Sequence, residues 1–140
     1  MALTATLSLY ELQRVAAAAY IGKTINVILC SVGVSGFTAN DLVTDWQSIQ
    51  VPNSSTFSAT VTGDNTLDSN GGDDYSVANG RIELPSIDAA FTAGVTLNWD
   101  RVVVYFDGEQ YPHSVLSESP NVQLGAGATQ TYRINLITND

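Results

Sequence analysis

The sequence predicts an all-β protein: an antiparallel β-sandwich or jelly roll with one short N-terminal helix. Several short segments alternate apolar and polar residues, segments rich in Gly, Asp, Asn and Ser separate them, and one helical pattern stands near the start. With 140 residues, 44% of them hydrophobic, the chain is long enough to bury a substantial core. We therefore predict a single domain over 1–140, with an arm at 1–7, a helix at 8–21 and a sandwich at 24–137.

The helix is predicted from its capping signals and its composition. Ser8 and Glu11 have the spacing of a capping box, in which each side chain accepts a hydrogen bond from the backbone of the other residue. The alanines at 16–19 propagate a helix at little cost, and Gly22 can adopt the left-handed conformation that ends it.

The strands are predicted from apolar residues that recur with a period of two. Residues 24–32 are apolar on both faces, which indicates a strand covered on both sides, whereas 57–61 alternate as a half-exposed strand does. The strongest pattern lies at 100–106, and Trp99 just before it is expected to anchor the core. Shorter strands are predicted at 81–84, 95–99, 122–124 and 131–137, with turns at 34–36, 63–74, 107–108 and 125–127.

The charge of the chain argues against nucleic acid as a partner. The net charge is −9, and the five basic residues are scattered singly, so no basic patch is readable. Residues 1–63 carry three acidic and two basic residues, while 64–140 carry eleven and three, so most of the negative charge lies in the second half. No segment has the roughly 20 apolar residues of a membrane span. We expect a protein made in a cytoplasm that binds neither nucleic acid nor membrane.

The candidate catalytic residues give no recognisable constellation. Cys30, the single cysteine, lies in an apolar run and is expected in the core. His113 precedes Ser114, but no Gly-x-Ser-x-Gly motif accompanies them. Glu83 and Asp100 lie within or beside strands and are the carboxylates that a glycosidase would use. We predict that the protein is not an enzyme and needs no cofactor.

The acidic segment at 66–74 is a weak candidate for a calcium loop. Oxygen ligands alternate there as in such loops, from Asp68, Asn70, Asp73 and Asp74. The first ligand position is Thr66, however, and Val77 stands where a bidentate Glu would be needed. An exposed loop is the simpler interpretation.

Aromatic residues suggest a second function, in which a flat platform binds carbohydrate. Trp46 lies in a turn-like segment and is expected to be an exposed contact residue, whereas Trp99 is assigned to the core. The five rings that could contribute to such a platform are Trp46, Trp99, Tyr105, Tyr111 and Tyr132.

The layout of the chain resembles that of small bacteriophage virion proteins, among them capsid cement (decoration) proteins of jelly-roll type. Four features carry the resemblance: the N-terminal helix followed by Ile25–Val32, Gly72-Asp-Asp-Tyr75 before a polar loop, the strand Leu97–Phe106 and the terminal segment Gly127–Leu136. The resemblance brings no site motif, so no functional residues are transferred from it.

This resemblance implies a structural protein on the outer capsid surface of a virion. It would bridge neighbouring subunits of a phage major capsid protein and associate with itself as a homodimer or homotrimer. A tail or baseplate adaptor and a carbohydrate-binding module are the alternatives. The expected protein-interface residues are two in the arm and three in an apolar patch: Leu3, Leu7, Val34, Phe37 and Trp46.

Overall fold

A computed structural model describes residues 18–33, 36–62, 75–76, 81–82, 87–134 and 136. The chain divides into two compact units. One comprises 23–59 and 88–133, and the other comprises 1–22, 60–87 and 134–140. The described strands are antiparallel where their register is defined, and the fold is all-β, as predicted; it contains short helices besides the strands. Jelly-roll connectivity and a single domain over 1–140 stay predictions.

The larger unit is built on a four-stranded sheet in the order β2-β1-β6-β7. Its strands are β1 (Thr24–Cys30), β2 (Phe57–Thr60), β6 (Leu97–Phe106) and β7 (Ser114–Leu124). β1 pairs with β6 from Ile25↔Phe106 to Cys30↔Arg101, and β7 lies on the other side of β6. The two central strands are therefore the segments with the strongest apolar patterns.

Both faces of β1 are covered, as its apolar run predicts. Every residue from Ile25 to Cys30 is buried, and Asn26 is the polar residue in that run. β2 alternates between half-buried and exposed side chains, which confirms the half-exposed strand predicted at 57–61. Strand burial thus follows the sequence pattern closely in this sheet.

One face of the sheet packs against a short helix, α1 (Val43–Ser48), which the sequence pattern did not predict. Trp46 and Val43 on α1 pack with Ile28, Val103 and Tyr105 from the sheet. The indole N–H of Trp46 donates to the carbonyl oxygen of Thr38 at 3.1 Å. Tertiary packing of a large aromatic ring therefore stabilises a helix too short to be stable alone.

A second, two-stranded sheet pairs β5 (Ile87–Thr92) with β8 (Thr129–Ile134). It meets β6 where Trp99 Nε1 donates to the Tyr132 hydroxyl at 2.9 Å, and Tyr132 also packs edge-on against Phe91. Trp99 is fully buried, which confirms its predicted place in the core.

The other unit is described only in part. Residues 18–20 are helical, and Gly22, with φ +84°, follows them as the predicted C-terminal glycine. The rest of the predicted helix and the arm at 1–7 lie outside the described residues. β3 (Tyr75–Ser76) and β4 (Arg81–Ile82) form an antiparallel pair in this unit.

Several predicted boundaries need correction. The strands predicted at 95–99 and 100–106 are one strand, β6, interrupted by a register shift between Trp99 and Arg101. The strand predicted at 122–124 begins at Ser114, because the edge position of β7 tolerates its polar residues and Pro120. The predicted turn at 125–127 is present, and it joins strands of two different sheets, because β8 pairs with β5.

Candidate functional site

A cleft of about 530 Å³ opens at the end of the main sheet where β1 begins and β6 ends. One wall is the start of α1, with Leu42, Val43 and Gln47. The opposite wall is the end of β6 and the turn that follows it, from Tyr105 to Gln110. Both walls belong to the larger unit.

Backbone hydrogen bonds hold the two walls together. Val43 N donates to Gln110 O at 2.8 Å, which joins the start of α1 to the turn. Asp107 N donates to Thr24 O at 3.0 Å, which ties the other end of the turn to β1. Gly108, at φ +81°, takes the left-handed conformation that the turn requires. These contacts make the cleft a preformed feature of the fold.

A chain of polar contacts through the buried amide of Asn26 orients the exposed Asp107 carboxylate at the cleft. Asn26, only 6% exposed, donates from Nδ2 to Asp107 Oδ1 at 2.5 Å. Ser58 on β2 donates to Asn26 Oδ1 at 2.6 Å. The amide of Asn26 thus connects a neighbouring strand to an acidic group of the cleft, inside a strand that is otherwise apolar.

The second carboxylate of the cleft is Glu109. Its Oε1 lies 3.3 Å from Lys23 Nζ, and both side chains are about half exposed. Such a pair contributes little to stability and exchanges readily with solvent or with another charged group. Among the described residues, none that lines the cleft is basic.

Tyr105 places a hydroxyl at the cleft from an almost fully buried ring. The residue is 8% exposed, and its oxygen accepts a hydrogen bond of 3.3 Å from Gln47 Nε2. Within the described residues the hydroxyl proton of Tyr105 has no acceptor.

One exposed apolar side chain lines the cleft, and another follows its last lining residue in the chain. Leu42, at its wall, is 38% exposed, and Tyr111, directly after Gln110, is 54% exposed. Elsewhere in the described chain, the large apolar residues with comparable exposure are Val95 and Leu116. The cleft therefore combines apolar contact surface with two carboxylates and a hydroxyl group.

The residues predicted for a protein interface are not found together at this cleft. Trp46 is fully buried in α1, so the prediction of an exposed contact residue on a turn is wrong. Its indole fills the space between the helix and the sheet. Phe37 is half-buried against Trp46, with 5.8 Å between ring centroids, and its contact role stays a prediction. Leu3, Leu7 and Val34 lie outside the described residues.

The aromatic platform suggested for carbohydrate binding is not formed. Trp46 and Trp99 are fully buried and Tyr105 is nearly so, because these rings build the core. Tyr132 is half-buried between Trp99 and Glu118. Tyr111 is the exposed ring among the five.

The candidate reactive groups are engaged in structural contacts. Burial raises the pKa of the Cys30 thiol to about 12, with a smaller contribution from Asp100. Partial burial lowers the pKa of His113, whose ring packs edge-on against Phe106. The carboxylate of Asp100 accepts the backbone N–H of Val32 at 2.9 Å.

The described part of the chain shows neither a metal-binding cluster nor a membrane-spanning helix. There, no group of three or more His, Cys, Asp or Glu side chains is placed to hold a metal ion. The calcium-loop candidates Asp68, Asn70, Asp73 and Asp74 lie outside the described residues, as does Glu83. No helix among the described residues is long and apolar enough to cross a membrane.

Comparisons with known protein families, with curated proteins and with solved structures found no match for this chain.

The cleft was not predicted from the sequence, because its walls come from segments about sixty residues apart. The available signal was Asn26, a polar residue inside an apolar strand, together with the acidic turn at 107–109.

Proposed function

We propose that this chain is a non-enzymatic protein that works by binding other proteins. The observation that carries the proposal is the preformed cleft, which exposed Leu42 lines and after whose last lining residue, Gln110, the exposed Tyr111 follows in the chain. Tyrosine is enriched at protein contact sites, and an exposed leucine adds apolar contact area.

The state of the candidate reactive groups supports a binding role. A thiol with a pKa of about 12 is protonated at neutral pH and is a poor nucleophile. Asp100 is held by the Val32 backbone and lies 3.7 Å from Arg101, so its carboxylate acts in folding. These groups maintain the sheet that carries the cleft.

The specific form of the proposal is a capsid-decoration protein of a bacteriophage, and it rests on the resemblance in layout. The chain would sit on the outer capsid surface as a homodimer or homotrimer and bridge subunits of the major capsid protein. Each contact would contribute modestly, while several contacts per oligomer, repeated over the shell, would stabilise it strongly.

The test is light scattering coupled to size-exclusion chromatography, with the full chain alone and mixed with undecorated capsids of the same phage. A dimer or trimer that co-elutes with the capsids at saturating stoichiometry is the expected result. A chain that leaves capsids undecorated but co-elutes with purified tails would instead identify a tail or baseplate adaptor. Binding to neither would refute a virion role.

A further inference from the structure

We propose that the cleft binds a peptide segment of the partner protein that carries an arginine or lysine side chain. The inference rests on the proposed function and deepens it, because it names the chemistry that the partner must present. Charge, shape and hydrogen-bonding capacity each support it.

The charge of the cleft favours a basic side chain. Asp107 and Glu109 lie on one wall, and the described residues of the other wall, which are Leu42, Val43, Thr44 and Gln47, carry no charge. Lys23 reaches Glu109 through an exposed contact, which a better-placed cation could replace. A guanidinium or ammonium group between the two carboxylates would form charge-assisted hydrogen bonds, the strongest class available here.

The Asp107 carboxylate is held in place before any partner arrives. Asn26 fixes one of its oxygens, and Ser58 fixes Asn26 in turn. The chain of contacts ends on Oδ1, which leaves Oδ2 of Asp107 as the acceptor for a ligand. A carboxylate that is already ordered loses little conformational entropy on binding. Asn26 therefore acts as a positioning residue.

The apolar surface suits the stem of the same side chain. Lysine and arginine pack their methylene groups against apolar surface while the charged end reaches a polar partner. Leu42 lines the cleft, is 38% exposed and provides that surface beside the carboxylates.

Tyr105 indicates that the occupant also brings a hydrogen-bond acceptor. The residue is 8% exposed and lines the cleft; its hydroxyl oxygen accepts from Gln47 Nε2 at 3.3 Å, and among the described residues none accepts the hydroxyl proton. A cation alone cannot accept this proton, whereas a backbone carbonyl can. A peptide supplies a basic side chain and a carbonyl together, so a peptide meets both requirements.

The first experiment uses a defined probe and needs no knowledge of the partner. The uniformly ¹⁵N-labelled full chain is titrated with N-acetyl-arginine methylamide and, in parallel, with N-acetyl-citrulline methylamide. Citrulline is close to arginine in shape but is uncharged. We expect the arginine probe to shift the amide signals of 105–110 in a saturable way, and the citrulline probe to shift them far less.

Variants assign the effect to the two carboxylates. Asp107→Asn combined with Glu109→Gln removes both charges while keeping an oxygen acceptor for Asn26 and for Lys23. The control, Asp88→Asn, removes a charge on β5, where Asp88 pairs with Arg133 outside the cleft. The arginine shifts should vanish in the double variant and persist in the control. Equal shifts from both probes, or shifts that survive in the double variant, would overturn the inference.

Capsid binding separates this inference from the proposed function. For the double variant we expect a capsid Kd raised at least about ten-fold, the lower bound for the loss of one of its two charge-assisted contacts, with Asp88→Asn unchanged. If the double variant decorates capsids as well as the natural chain, the cleft is not the contact site, while decoration stands. If no form binds capsids but the arginine probe still binds, decoration fails and the cleft assignment stands.

Discussion

Replacing Tyr132 with phenylalanine tests the contact between the two sheets of the larger unit. The Tyr132 hydroxyl accepts from Trp99 Nε1 at 2.9 Å and donates to Glu118 Oε1 at 2.8 Å. Tyr132→Phe keeps the ring and its packing against Phe91 but removes both hydrogen bonds. The indole N–H of Trp99, a fully buried residue, then loses this acceptor.

The expected loss is a large fraction of the stability of a small domain. A buried donor without an acceptor costs about 1–3 kcal/mol, and the bond to the half-exposed Glu118 adds about 1 kcal/mol. We therefore expect the free energy of unfolding to fall by about 2–4 kcal/mol. Urea unfolding followed by circular dichroism measures the change, with an unaltered m-value as evidence that the folded state is intact.

The matched control is Tyr111→Phe, which removes a hydroxyl from an exposed tyrosine. Its effect should stay within about 0.5 kcal/mol, as for an ordinary surface substitution. A double-mutant cycle with Trp99→Phe isolates the Trp99–Tyr132 contact. If Tyr132→Phe costs no more than Tyr111→Phe, the hydroxyl does not join the sheets and the reasoning fails.

The same hydroxyl predicts a loss of stability in alkali. Burial and then the hydrogen bond to Glu118 raise the pKa of Tyr132 from 10.0 to about 12. A raised pKa means that the folded state favours the protonated group. The resulting stabilisation is complete below pH 10 and is lost as the pH rises from 10 towards 12. Tyr132→Phe has no hydroxyl and so lacks this stabilisation. The difference in free energy of unfolding between the variant and the natural chain should therefore become smaller as the pH rises from 10 towards 12.

Three further predictions concern the core and the surface. Trp46→Ala should lower the free energy of unfolding by about 3–5 kcal/mol, because it leaves a cavity between α1 and the sheet; a cost below about 1 kcal/mol in urea unfolding would contradict the buried position. Cys30, with a buried thiol whose pKa is about 12, should resist a thiol-reactive dye in the native protein and react once urea unfolds the chain. Lys23→Met should change stability by less than about 0.5 kcal/mol, because its ion pair with Glu109 is exposed; a larger loss would show that the pair holds the turn in place.

The central strands could be predicted from the sequence because their own residues encode burial. β1 and β6 carry continuous apolar runs, and a strand covered on both faces needs nothing more to be recognised. β7 could not be predicted in full, since an edge strand is half solvated and accepts serine, glutamate and proline. β7 is a strand because it pairs with β6, and its own residues do not indicate this.

α1 and the cleft depend on contacts between distant segments. The six residues of α1 include Val43 and Thr44, both β-branched, and Leu42 precedes them in place of a favoured capping residue. Trp46 was placed on an exposed turn because nothing local marks it as buried. Its environment comes from Ile28, Val103 and Tyr105, which lie far from it along the chain.

Asn26 shows where local sequence and global fold disagree. A leucine at this position of β1 would satisfy the apolar pattern of the strand. Burial of the asparagine amide in its place is tolerated only when the hydrogen bonds of the amide are satisfied. Here both oxygen and nitrogen of the amide are engaged, by Ser58 and Asp107, and the second contact ends at the cleft. We therefore expect Asn26→Leu to change the free energy of unfolding little. It should weaken the binding of the arginine probe, because the Asp107 carboxylate loses its orientation. If the variant binds the arginine probe as tightly as the natural chain and is equally stable, the amide of Asn26 does not position Asp107. If probe affinity and the free energy of unfolding both fall, the role of Asn26 is structural.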